Sequence, residues 1–222
     1  MARMRVHLDG RTESNGAPLL MHNERMIDTL DPFTRSVAEI SKKRGKTESD
    51  ELELSYREWL GCFYHDGLLA DPKHITKGEM GPFMPVFNIV RSIQNAGKQH
   101  KLGASVLRGV VPAQLNTPVL YDGPRDIPTM WKDGRYGLRK AVGVGQKRIM
   151  RTRPVFVDWQ IEAEIEVDLT QINPEKISQL VAEAGRYQAL GDYRPVYGRF
   201  LGSAELVDPE AAALELEMKE AA

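Results

Sequence analysis

The sequence predicts an α+β chain, and three observations within residues 153–207 carry that prediction. Ile161, Ala163, Ile165 and Val167 alternate with Glu162, Glu164, Glu166 and Asp168, the period of two that makes a strand with one buried face. Asn173 then stands where an N-cap belongs, with Pro174 at the first helical position and Ile172 and Ile177 at the spacing of a hydrophobic staple. Ile177, Leu180, Val181 and Ala184 form the apolar stripe of that helix, and Gly185 ends it. Residues 200–207 read as a further strand. A strand, a helix and a strand joined in one sheet predict parallel pairing with a right-handed crossover.

The rest of the chain supplies more elements of the same kinds. Met4, Val6 and Leu8 against Arg5 and His7 give a first strand over 4–8. Asp31-Pro32 caps and starts a helix with Phe33, Val37 and Ile40 at helical spacing, and Lys42, Lys43 and Arg44 suit its C-terminal dipole before Gly45. Residues 49–59 read as a helix presenting Leu52, Tyr56 and Trp59, and 60–64 as a strand. Val86, Ile89, Val90 and Ile93 stripe a helix over 85–95. Val119 to Tyr121 is a short strand ended by Asp122-Gly123-Pro124, and 126–131 is one helical turn. The long stretches 68–81 and 121–145 read as irregular, which compact domains reserve mostly for binding.

Composition limits the function classes. With 222 residues, 41% hydrophobic and 27% charged, the balance is that of a soluble globular chain. No run of about 18 apolar residues is present to span a membrane. The first ten residues lack the apolar segment of a secretory signal. A single cysteine, Cys62, allows no internal disulfide, reads as a buried thiol beside Phe63, and suits a reducing cytoplasm. The net charge of −1 conceals a polarised distribution. Residues 139–153 hold six basic side chains (Arg139, Lys140, Lys147, Arg148, Arg151 and Arg153) and no acidic one. Residues 208–222 form an acidic tail, expected to be helical.

Two segments have the chemistry of a polyanion site. Over residues 184–200 the loop AGRYQALGDYRPVYGRF places Arg186, Tyr187, Tyr193, Arg194, Tyr197 and Arg199 among glycines at 185, 191 and 198. Glycine permits close backbone approach, arginine offers forked donors for phosphate, and tyrosine offers a face on which a base stacks. The ribbon 139–153 adds enough cations for salt-sensitive phosphate binding. Catalytic signals are sparse. The five histidines have no partners at metal-ligand spacing, so no metal or other cofactor is expected. His22, next to Asn23, is the one candidate acid or base.

The loop 185–198, lying between a final helix and a final strand, resembles the glycine-rich loop of the RAMP superfamily, the ferredoxin-like, RNA-recognition-motif-like subunits of CRISPR effector complexes. Gly81-Pro82-Phe83-Met84-Pro85, before a helix carrying Asn88 and Arg91, resembles the IPG-S-S-x-K-G-x-x-R segment of that family's backbone subunits, with Val86, Phe87 and Asn88 where the family has glycine and serines. The chain also resembles phage and prophage proteins of this length.

The resemblance implies a single ferredoxin-like core over 1–207, with insertions at about 45–80 and 97–150 that grip single-stranded RNA or DNA. It implies assembly into an oligomer or filament along that ligand in the cytoplasm, the host's if the protein is phage-encoded. By the same resemblance Asn88, Arg91, Arg186, Tyr193, Arg194 and Arg199 are binding candidates. Because Glu162, Glu164, Glu166 and Asp168 make one sheet face acidic, the contact is expected at the loops and not on the sheet. Two other readings stand beside non-catalytic binding: a metal-independent ribonuclease of the RAMP type acting through His22, and a structural assembly protein of a phage.

Overall fold

Apolar and polar residues alternate from the start of the chain, and Ala2–Asp9 forms strand β1. The other strands, in chain order, are β2 (Leu19–Leu20), β3 (Phe83–Pro85), β4 (Val110–Pro112), β5 (Asn116–Pro118), β6 (Gly137–Val144), β7 (Lys147–Phe156), β8 (Gln160–Val167) and β9 (Leu201–Leu206). The helices are α1 (Pro32–Ser41), α2 (Glu48–Gly61), α3 (Val86–Gln99), α4 (Gly103–Gly109), α5 (Ile127–Asp133) and α6 (Pro174–Glu183). The computed structural model describes residues 1–68, 71–145 and 147–208, so the expected tail helix lies outside the described residues. The chain divides into two units: Met1–Leu19, Met84–Tyr121 and Val157 onward make the first, and Leu20–Phe83 with Asp122–Phe156 make the second. The segments that leave the first unit are therefore 20–83 and 122–156, against the expected 45–80 and 97–150.

The first unit is built on an antiparallel sheet in the order β4-β8-β1-β9. Strand β1 pairs with β8 from Ala2↔Val167 to Asp9↔Gln160, and with β9 from Met4↔Leu206 to Asp9↔Leu201. This corrects the expected parallel pairing. β8 and β9 run in the same direction, but β1 lies between them because its backbone is hydrogen-bonded on both edges. Met4, Val6, Leu8, Ile161, Ala163, Ile165 and Val167 form the buried face. Helices α3 and α6 pack side by side on it, α3 through Val86, Ile89, Val90 and Ile93 and α6 through Ile177, Leu180 and Val181. Each such side chain contributes about 1.5–3 kcal/mol on burial.

The sheet's outer face is not the purely acidic surface that the sequence suggests. Arg3 stands 3.7 Å from Glu164 and 3.5 Å from Glu166, Arg5 3.5 Å from Glu164, and His7 3.6 Å from Glu162. Asp168 does not belong to this stripe. The strand ends at Val167, and the Asp168 carboxylate accepts from the Thr170 N–H (2.9 Å) and hydroxyl (2.7 Å).

Several local expectations shift in position. The final helix is capped as read, with the Asn173 side chain accepting from the Lys176 N–H at 2.9 Å. Gly185 does not end it, because a π-turn over Ala184–Gln188 prolongs it, closed by Ala189 N–H to Ala184 O at 2.7 Å. The short strand expected at 119–121 lies instead at Asn116–Pro118, with Leu120 making one isolated bridge to Gln160.

In the second unit, Thr47 and Asp50 form a capping box and α2 runs on to Gly61, through residues read as the start of a strand. Trp59 and Leu60 are buried at consecutive helical positions, and the Trp59 indole donates to the Tyr136 carbonyl at 2.7 Å. Leu52, expected on the buried face, is exposed, and Cys62 is buried. The stretch 121–145 is more regular than its glycines imply: α5 and the hairpin β6–β7, registered from Gly137↔Pro154 to Val144↔Lys147, fill most of it.

The end of β1 is tied down by one buried carboxylate. Asp9 accepts from Arg11 Nε (2.9 Å) and Nη2 (2.7 Å) and from the Ser14 hydroxyl (2.9 Å). The Arg11 fork, working against burial, lowers its pKa from 3.8 to about 2. A carboxyl depressed in the fold stabilises fully above its unfolded pKa and loses that contribution as pH falls through the folded one. Asp9→Asn is therefore expected to destabilise by about 1–2 kcal/mol at neutral pH, discounted for the exposure of Arg11. Denaturant melts should show the gap between variant and parent closing between about pH 4 and pH 2.

Candidate functional site

The π-turn after α6 delivers the chain into the loop 186–198, whose backbone is fastened at its two ends. Ala189 O accepts from the Ser92 hydroxyl of α3 at 2.9 Å. Leu190 N–H donates to Gly198 O at 2.9 Å, and Gly198 N–H to Pro18 O at 2.8 Å. Ala17 N–H then donates to Arg199 O at 2.9 Å. Gly198 has φ +73°, and a Cβ there would lie 1.7 Å from Leu190 O, so this closure requires glycine. At Gly185 a Cβ would lie 2.1 Å from Phe200 O, where the helical turn and the chain entering β9 nearly touch. Tyr193 also takes a left-handed conformation, φ 54°, with its N–H donating to the Asp192 carboxylate at 2.9 Å.

Fastened in this way, the loop forms a groove of about 430 Å³ against α3, lined by Asn95, Tyr187, Gln188, Asp192, Tyr193 and Arg194 among others. Tyr187 is 55% exposed, and the Arg186 guanidinium lies 5.9 Å from its ring centroid. Tyr193 and Tyr197 meet edge to face at 6.3 Å. Arg186, Arg194 and Arg199 are exposed, and among the described residues no carboxylate pairs with them. Fixed backbone, aromatic faces and unneutralised guanidiniums can hold a flexible anion that carries flat rings.

Of the two helix candidates, Arg91 is exposed and donates to Gln94 Oε1 at 2.7 Å, while Asn88 is half-buried with its amide 3.6 Å from Met84 Sδ. Neither lines the groove. Asn95 does, and it stands four and seven residues beyond them on the same face of α3. Asn95, Gln188 and Asp192 were missed in the sequence. The signal for Asn95 was the helical spacing from Asn88 and Arg91.

The basic ribbon belongs to the second unit, not to the unit containing the loop. It is a hairpin, and several of its cations are engaged with α2. Arg139 pairs with Glu51 at 3.0 Å, Arg153 donates to Cys62 Sγ at 3.2 Å, and Arg151 bonds the buried Glu58, which also accepts from Thr152 N–H at 3.0 Å. Lys140 and Arg148 are exposed, and the Lys147 side chain lies outside the described residues.

His22 is half-buried, and its carbonyl faces the Tyr64 hydroxyl at 3.4 Å. His65 is a buried structural histidine: its Nδ1 accepts from Gly67 N–H at 2.9 Å, its Nε2 faces Arg125 O at 2.6 Å, and burial lowers its pKa. Among the described residues no helix is long and apolar enough to cross a membrane. No protein-family model and no curated protein matches the chain.

Closure of the loop gives a direct test. Gly198→Ala is expected to cost more than about 2 kcal/mol, because a left-handed conformation and a collision with a carbonyl add together. Gly145→Ala, at φ +59° with nothing within 4 Å, should cost only about 1–2 kcal/mol. Urea melts of the two variants, with hydrogen exchange at Leu190, measure the difference.

Proposed function

We propose that the chain is a non-catalytic protein that binds single-stranded RNA or DNA through the loop groove of its first unit. One observation carries the reading: a hydrogen-bonded loop on which Arg186, Arg194 and Arg199 are exposed, with no carboxylate paired to them among the described residues, beside a groove lined by Arg194, the exposed Tyr187 and the half-buried Tyr193. In the proposed mechanism Arg186, Arg194 and Arg199 neutralise phosphates, while Tyr187 and Tyr193 stack on bases. Neither contact distinguishes one base from another, so binding tolerates any sequence.

The unit's connectivity supports a ferredoxin-like core. Its elements follow the order β1, α3, β4, β8, α6, β9, with α4 and β5 as additions, and the sheet runs β4-β8-β1-β9. The likeness of the loop to that of the RAMP superfamily supports the same reading and extends it to assembly of copies along the ligand.

Gel shifts with labelled single-stranded oligonucleotides at rising salt test the proposal. Three neutralised phosphates predict a slope of log K against log[salt] of about −2. Arg194→Ala should weaken binding to every sequence alike and make the slope about 0.7 shallower. An oligonucleotide left unshifted, or shifted equally at all salt concentrations, would remove the reading. An RNA ladder shortened during incubation would favour the nuclease instead.

A further inference from the structure

We propose that His65 is a proton-operated latch of the second unit: neutral, it fastens the chain at 65–67 to the start of α5, and protonated, it exchanges the Gly67 N–H for the carboxylate of Asp66. The latch lies within the second unit and shares no residue with the loop groove, so it does not depend on the binding proposed there.

The partners of the ring fix its tautomer. A carbonyl oxygen only accepts, so Nε2, 2.6 Å from Arg125 O, carries the proton. Nδ1 is then a lone pair, and it accepts from the Gly67 N–H at 2.9 Å. The side chain is 0% exposed, and the Phe63 ring lies edge to face with it at 5.4 Å. One buried imidazole thus joins two stretches of chain sixty residues apart.

A second proton has one place to go, Nδ1, where it meets the Gly67 N–H. Two donors cannot share a bond, so protonation breaks this contact. The charged groups that act on the ring are the carboxylates of Asp66 and Asp126; Arg125 offers it a carbonyl, while its guanidinium donates to Met80 O at 3.1 Å. Asp66 is within reach, its Oδ1 3.6 Å from Nδ1. That oxygen now accepts from the Gly81 N–H at 2.9 Å, and Oδ2 accepts from Glu79 (2.8 Å) and Met80 (2.7 Å). Drawing Oδ1 to an imidazolium takes it from Gly81. The two states therefore differ at the Gly67 and Gly81 N–H groups, beside the Asp66 N–H to Gly81 O bond and the His65–Pro82 bridge that join the same two stretches. The bond from Nε2 to Arg125 O is common to both states.

The direction of the switch follows from burial. Desolvation outweighs the carboxylates and lowers the pKa of His65 from 6.5. Such a group contributes its full stability above its unfolded pKa and loses it as pH falls through the folded one. Burial opposes the charge on Asp66, but its three N–H donors hold its pKa below 3.8. The exchange is expected between pH 6.5 and 3.8, where Asp66 still carries its charge.

Nuclear magnetic resonance of the full chain, labelled with nitrogen-15, tests the latch. The ring nitrogens of His65 are expected to report the Nε2–H tautomer at neutral pH. Between pH 6.5 and 3.8 the protection of the Gly67 and Gly81 amides against hydrogen exchange should fall about tenfold or more, with the amide of Trp59 in α2 unchanged. The midpoint of that fall should match the protonation midpoint of the ring to within about one pH unit. His65→Asn places an oxygen where Nδ1 stands and takes up no proton, so it should keep both amides protected throughout. The Nδ1–H tautomer at neutral pH, a ring that titrates without change at the two amides, an equal loss at Trp59, or a fall that persists in His65→Asn would each overturn the assignment. The ring and amide midpoints come from the parent chain alone, so the test stands whether or not the variant folds.

Discussion

The first unit depends on β1 being paired along both edges. Hydrogen bonds to β8 and β9 fix its register from Ala2 to Asp9, and that register puts Met4, Val6 and Leu8 under the two helices. A slip of one residue would turn all three toward solvent and bring Arg3, Arg5 and His7 into the core, a cost that no local rearrangement recovers. The Asp9–Arg11 fork and the Trp159 indole, which donates to Ala17 O at 2.9 Å, secure the chain where it leaves this strand. The same departing segment supplies Pro18 and Ala17 as anchors for the loop, so the geometry of the groove is inherited from the register of the first strand.

This inheritance explains how a loop rich in glycine is held in place. Hydrogen bonds to β1's continuation, to α3 or within the loop and its π-turn hold it at Ala189, Leu190, Tyr197 and Gly198. Glycine here serves close approach more than mobility. A preformed loop reduces the ordering entropy that a flexible one would lose on meeting a ligand. The exposed arginines then stand on a fixed frame, and their long side chains are the parts left to adapt.

The elements that the sequence reveals best are those specified by local chemistry. The Asn173-Pro174 start of α6, the Asp31-Pro32 start of α1 and the alternation of β8 all depend on neighbours within a few residues. What the sequence conceals depends on distant partners. Nothing local in 160–206 says that β1 will lie between β8 and β9. The continuation of α2 through Leu60 and Gly61 follows from Trp59 reaching the Tyr136 carbonyl, a partner more than seventy residues away. The glycines of 134–145 look like punctuation, yet Gly137 and Gly143 lie within β6, paired to Pro154 and Arg148. The loop residues of the groove were legible by type, whereas Asn95 and Asp192 join them only through the folding of α3 against the loop.

The distribution of charge argues for where the proposed polyanion would meet the first unit. Three glutamates on β8 look repulsive in the sequence, but Arg3, Arg5 and His7 on β1 face them at 3.5–3.7 Å. Such exposed pairs contribute little to stability, about 0–1 kcal/mol each, and offset only part of the acidic charge of the sheet face, where Glu205 of β9 stands opposite Arg5. A face left with more carboxylates than guanidiniums does not attract phosphate. Among the described residues no carboxylate pairs with the arginines of the loop, and a cation without a counterion carries its full potential into solvent. The exposed cations of the loop and the net acidic sheet face therefore make the electrostatic contrast between the two surfaces.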